Sequence, residues 1–352
     1  MATRTARMGA RTRALRACAI VAVAFVATRA VCARRNAAND DGVRDDGDED
    51  DAMVLHEIAR VNAIATTITV PALMHRALRT TRQQSAISAA DDVTRRLAHA
   101  VAGLMSAAAI DALARVTLHL IARRMYVDAA RGAHEATTLT ESDKARALGV
   151  VLERFTRDGA RELVRIARAV AEKLVKSDGF ATLRSWSSAD AERFMRDARE
   201  KVRTAMSMPS DVFVDAKNAK LPFERDGRRE LKNRAFPSWE TLLLPERVDG
   251  LNAANAAMKE LVNEIRLVVR SPHFVVAVNA AMDAAWRAHA EVLLQTFFQV
   301  TPDSTLSSEQ AARVLEVAMN KIARDDDVDN TNALVGAIGA CEGVHFFTSA
   351  IW

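Results

Sequence analysis

Three stretches of the chain carry residue types at spacings that could do chemistry. The stretch "HEIAR" at 56–60 opens like the zinc-protease motif, in which two histidines four residues apart on a helix hold the metal and the glutamate acts as base. Here Arg60 stands where the second histidine is needed, so the stretch reads as a helix start. "DDDVDNTNALVG" from Asp325 opens like a calcium loop, but Asn330 replaces the turn glycine and Gly336 the bidentate acid. It reads as an acidic interhelical loop. Asp111, Arg115 and His119 recur at four-residue steps, which puts them on one helix face with the acid placed to pair with the arginine. They read as a polar stripe facing solvent or a neighbouring polar side chain rather than as a buried relay. The eight histidines are scattered, and none pairs with a cysteine at metal-ligand spacing. Neither a phosphate-binding Walker loop nor a G-x-S-x-G elbow occurs. Trp186, Trp239, Trp286 and Trp352 read as core or cap residues. The expectation is a binding or scaffold protein, not an enzyme, with no cofactor and no metal.

The elements that would position these residues are helical. Alanine and arginine are abundant, aromatics make up 5%, and no useful two-residue hydrophobic alternation occurs. The expected class is all-α. Helical periodicity starts near Met53 and runs to Pro71, which should kink or break the first helix. The longest element starts near Asp91. Along it Val93, Leu97, Val101, Leu104, Ala108, Ala112, Val116 and Leu120 mark one face, and Met105, Ile110, Leu113, Leu118 and Ile121 another. A helix apolar on more than one side is buried by several neighbours. At about 50 Å it would be a central spine. Capping signatures start further helices at Thr140, at Ser271-Pro272 and at Ser307 with Gln310. Other helices are expected at about 188–206, 246–269 and 333–351, about eight in all. Residues 207–245 hold four of the seven prolines and read as an irregular insertion.

The ends of the chain differ in charge. Taking away the eight arginines of residues 1–36 leaves 41 basic against 45 acidic residues, turning +4 into −4. Basic character is thus concentrated at the N-terminus, which points to targeting or membrane contact and not to nucleic acid. Within it Ala17 to Thr28 is uninterruptedly apolar, short for a bilayer span, which needs about 20 residues. A retained anchor with Arg16 and Arg29 snorkelling fits this run. A secretory signal cleaved after Val31-Cys32-Ala33 fits too, as does an organelle transit peptide. The three cysteines imply no disulfide framework. The division is therefore a basic segment and anchor at 1–36, an acidic linker at 37–52 containing "DDGVRDDGDEDD", and a helical domain at 53–352.

Four features in matching order resemble the peroxin-3 family. They are the short apolar run between basic clusters at 11–35, "VNAIATTITVPALMHRAL" at 61–78, "LARVTLHLIARRMYVDAARG" at 113–132 with its Tyr126-Val127-Asp128 turn, and "LVNEIRLVVRSPHFVVAVNAAMDAAWRAHAEVL" at 261–293. The resemblance implies an elongated helical bundle facing the cytosol, held by an uncleaved single-pass anchor in the peroxisomal membrane. Arg4, Arg7, Arg11, Arg13 and Arg16 would act in targeting. It implies docking of peroxin-19, the carrier of newly made peroxisomal membrane proteins, through an amphipathic helix laid in a groove near the start of the spine, with membrane lipid as the other partner. The groove wall would include Ile87, Ala90, Val93 and Leu97. The chain departs from the family here, because Ala89 and Ala90 stand where a tryptophan is expected and none occurs before Trp186. The rival expectation is a mitochondrial or chloroplast helical scaffold whose first residues are cleaved.

Overall fold

The computed structural model describes residues 47–87, 91–130, 139–177, 180, 185–207, 238–244, 256–300, 305–322 and 328–352. The basic segment at 1–36, with Arg4, Arg7, Arg11, Arg13, Arg16 and the apolar run, lies outside them. The described residues form an elongated and almost entirely helical bundle. In chain order the helices are α1 (Gly47–Ile64), α2 (Val70–Ala86), α3 (Asp92–Ala130), α4 (Glu141–Arg154), α5 (Ala160–Ser177), α6 (Ser188–Ser207) and α7 (Trp239–Leu243). They continue with α8 (Ala256–Arg270), α9 (Pro272–Val300), α10 (Ser308–Ile322), α11 (Val328–Gly339) and α12 (Glu342–Ser349).

The spine is α3, 39 residues long. Every residue from Leu97 to Ala122 is buried, because α2, α5, α9 and α10 all pack along it. Small side chains let these neighbours close in. A Cβ added at Gly103 would sit 3.0 Å from the Met319 side chain of α10. Among the described residues α3 is the one helix long and apolar enough to cross a membrane, and its apolar stretch is wholly buried within the bundle. The apolar face thus serves the core.

Local signals set the helix starts. Asp91 Oδ1 accepts from the Thr94 amide at 2.9 Å and caps the spine. Reciprocal capping boxes join Thr140 to Asp143, Ser187 to Asp190 and Ser307 to Gln310. Ser271 Oγ caps α9 through the Phe274 amide, with Pro272 at the first helical position.

Several expectations need correction. Pro71 does not break the first helix. A π-turn at Ala65–Thr69 joins α1 to α2 in one helical path, and the wider turn accommodates a residue that has no N–H and crowds the carbonyl four positions back. That path begins at Gly47, not near Met53, so the end of the acidic run belongs to α1. "HEIAR" therefore lies inside α1, with Arg60 paired to Glu57 at 3.3 Å. The expected last helix is two. It parts at Cys341, whose extended backbone starts α12. The acidic stretch from Asp325 is helical from Val328 onward instead of a loop. Of the proline-containing insertion, residues 238–244 are ordered as helix α7 and its flanks. Trp239, Leu242 and Leu243 bury themselves against a second π-turn, Phe155–Gly159, that joins α4 to α5. Gly159 is needed there, since a Cβ would lie 2.3 Å from the Leu242 carbonyl oxygen.

Candidate functional site

Two places bring polar or exposed side chains into an arrangement that the core alone does not require. The first is the corner between α2 and the spine. Ile87 ends α2 and is 76% exposed. Val93, in the first turn of α3, is half-buried against the core. Leu97, one turn further on, is fully buried. It belongs to the core, because α2 and α10 flank the spine there, and it offers no wall to an incoming helix. Ala90 lies outside the described residues. The corner thus presents Ile87 and part of Val93, above a core that includes Leu97.

The second place is inside the bundle, where the Asp111–Arg115–His119 stripe meets α1 and the C-terminal segment. These three side chains do not face solvent. Their relative exposures are 0%, 1% and 0%. Arg115 clasps Asp111 with two donors, Nε at 2.7 Å and Nη2 at 3.2 Å. It also donates through Nη2 to Thr66 Oγ1 at 3.1 Å and through Nη1 to Asn62 Oδ1 at 3.4 Å. The Trp352 indole donates to His119 Nδ1 at 2.9 Å. An indole nitrogen only donates, so the His119 proton sits on Nε2, which faces Asn62 Oδ1 at 3.2 Å. Gly339, at the end of α11, packs against the Arg115 head, and a Cβ there would lie 3.0 Å from Nη2. The network therefore ties together α1, the first π-turn, the spine and the C-terminal segment.

Its electrostatics follow from burial. Desolvation raises the Asp111 carboxyl above its ordinary value while Arg115 pulls it down. Desolvation, with Arg115 and His345 adding positive charge nearby, lowers His119 to about 3. His119 is thus held neutral, in keeping with the tautomer that the tryptophan selects.

Sequence reasoning finds the stripe and its side-chain partnership but misses Asn62, Thr66, Gly339 and Trp352. A signal is present: Asn62 and Thr66 are themselves four residues apart, a second polar pair on a buried helix face. Among the described residues no group of three or more histidines, cysteines and acids is placed to hold a metal. Fold and sites together define a helical bundle threaded on a buried spine, with a polar tie at one place and an exposed apolar corner at another. No protein-family model matches the chain, and a search of curated proteins likewise finds no match.

Proposed function

We propose that this chain is a docking factor of the peroxin-3 type, in which residues 1–36 hold it in the peroxisomal membrane and the helical domain receives an amphipathic helix of peroxin-19 at the corner between α2 and α3. The observation that carries the reading is Ile87, a large aliphatic side chain left 76% exposed immediately before the spine, where the family resemblance puts the groove. The elongated bundle around one long helix supports it as well. Helix-in-groove recognition needs an apolar anchor at such a place. With no tryptophan at 88–93, aliphatic contacts from Ile87 and Val93 would supply the affinity.

The test is binding of the N-terminal segment of the matching peroxin-19 to the full-length chain. Ile87→Asp should weaken it by about tenfold, roughly 1.4 kcal/mol, with an unaltered melt, since Ile87 buries little in the free protein. Wild-type affinity in that variant would sink the placement. Localisation is tested separately by fusing residues 1–51 to a fluorescent reporter, with and without serine at Arg4, Arg7, Arg11, Arg13 and Arg16. Peroxisomal sorting that needs the arginines is expected. A mitochondrial or chloroplast signal would favour the cleaved-segment rival.

A further inference from the structure

Beyond residue 36 the chain has an acid excess, yet one face of the bundle runs against it. Helix α2 holds Arg76, Arg79 and Arg82 and no acid. All three are exposed, and among the described residues none has a carboxylate partner. Helix α5 packs beside α2. It carries Arg161, Arg165, Arg168, Lys173 and Lys176 against Glu162 and Glu172; Arg165 and Arg168 pair with these two acids, and Arg161 with Asp158 of the preceding turn. Lys176 acts on Asp91, just past the end of α2, so the two helices end on the same side of the molecule. Together they carry an excess of six positive charges, next to the corner that exposes Ile87.

A surface of this kind wants an anionic occupant, and the chain itself contains one in the run from Asp40 to Asp51. Geometry excludes it within one molecule. Along the joined path of α1 and α2, Arg76 stands about 44 Å from Gly47 at 1.5 Å per residue. The seven residues from Asp40 to Asp46, even fully extended, span about 25 Å. The occupant comes from elsewhere.

We propose that the adjoining solvent faces of α2 and α5, with Ile87 at their end, are a docking surface for an acidic amphipathic helix of a partner protein. This rests on the docking reading above and adds the partner's chemistry. The exposed arginines of α2 supply long-range attraction and orientation, and Ile87 supplies the apolar contact that fixes the register. A helix with acids on one side and aliphatic side chains on the other matches both parts of the surface.

The experiment holds the full-length chain in phosphatidylcholine nanodiscs. It titrates the chain with a synthetic amphipathic helix bearing glutamates on one face and leucines on the other, and with a twin in which lysines replace the glutamates. The acidic helix should bind at least about tenfold tighter than its twin, and less tightly as salt rises. Combining Arg76→Gln, Arg79→Gln and Arg82→Gln should remove about tenfold in affinity and most of the salt dependence, with an unchanged melt because the side chains are exposed. Equal binding of both helices, or indifference to the triple substitution, overturns the proposal. Association with phosphatidylserine vesicles through these arginines, without binding of the acidic helix, overturns it in favour of a membrane contact. Binding of the synthetic helix but not of the peroxin-19 segment supports the surface and removes the peroxin-3 reading. Binding of peroxin-19 that ignores the triple substitution leaves that reading and removes this inference.

Discussion

Arg115 is held with its charge in a place water does not reach, and Asp111 is its one counter-charge within the buried network. Breaking a buried pair from one side leaves an uncompensated ion, which costs about 3–5 kcal/mol. Asp111→Asn keeps the shape and should cost that much in chemical denaturation. A loss below about 1 kcal/mol would mean that Arg115 finds other compensation. The histidines make a second prediction. His119 is lowered to about 3 and His289 to about 4, in both cases chiefly by burial. Both pKa values are depressed below the ordinary 6.5, so the unfolded chain takes up protons that the native one refuses. Their effect is absent above about pH 6.5 and grows as pH falls towards 4, by up to about 1.4 kcal/mol per pH unit for each. Two of the capping acids, Asp91 and Asp190, are held below their ordinary value. Burial raises Asp91, but the hydrogen bonds it accepts from Thr94 outweigh that. The Ser187 hydroxyl and amide lower Asp190. Both acids therefore protonate only below that window. The raised Asp111 carboxyl acts in the opposite sense, since the native state takes up its proton first. Urea midpoints should still drop between pH 7 and pH 5; a flat profile would show that the two histidines do not dominate the pH dependence.

At the scale of elements, the sequence is most legible where structure is decided locally. A cap depends on residues three apart, and the spine's burial is written in its apolar residues, which recur on more than one face. Both are readable for this reason. The π-turns are not, because a single widened turn leaves no periodic trace and Pro71 by itself argues for a break. The docking of α7 on the second π-turn is illegible too: it brings Leu242 onto Gly159, more than eighty positions away in the chain. Gly159→Ala tests that contact. Its Cβ would meet the Leu242 carbonyl at 2.3 Å, which backbone cannot yield cheaply. The expected result is displacement of α7, exposure of Trp239, which is 2% exposed in the native fold, and a loss of about 1–3 kcal/mol. A red shift in tryptophan emission reads the first, and a melt reads the second. An unchanged spectrum would count against the docking.

For the whole molecule, the polar tie joins parts of the chain that lie 53 positions apart at Asn62 and Arg115 and 233 apart at His119 and Trp352. Pattern reasoning along one helix sees the stripe but not what covers it. It reads the stripe as facing solvent or a polar neighbour rather than as buried, and the structure buries it among polar neighbours. Trp352→Phe would keep the ring that packs edge-on to His119 and Tyr126 and remove the indole donor. His119 Nδ1 would then be buried without a partner, at a cost of about 1–3 kcal/mol. Because Trp352 closes the C-terminal segment onto the spine, amide exchange should rise in α12 before it rises in α3. Uniform acceleration along the chain would mean that the segment unfolds only with the rest.

The π-turn at Ala65–Thr69 also sets the phase between two helices. A π-turn is an α-helix with one residue too many in a single turn. Upstream of it Asn62 points at Arg115; downstream of it Val70, Met74 and Ala77 point into the core. Those two directions are compatible only with the extra residue in place. Removing one position, for instance the exposed Thr67, would restore a regular helix and turn everything beyond it by about 100° relative to α1. Either the core face of α2 or the Asn62 contact would then have to be surrendered. A length change of one residue here acts as a rotation of the whole corner that carries Ile87, so the spacing between Asn62 and Pro71 tolerates substitution far better than insertion or deletion.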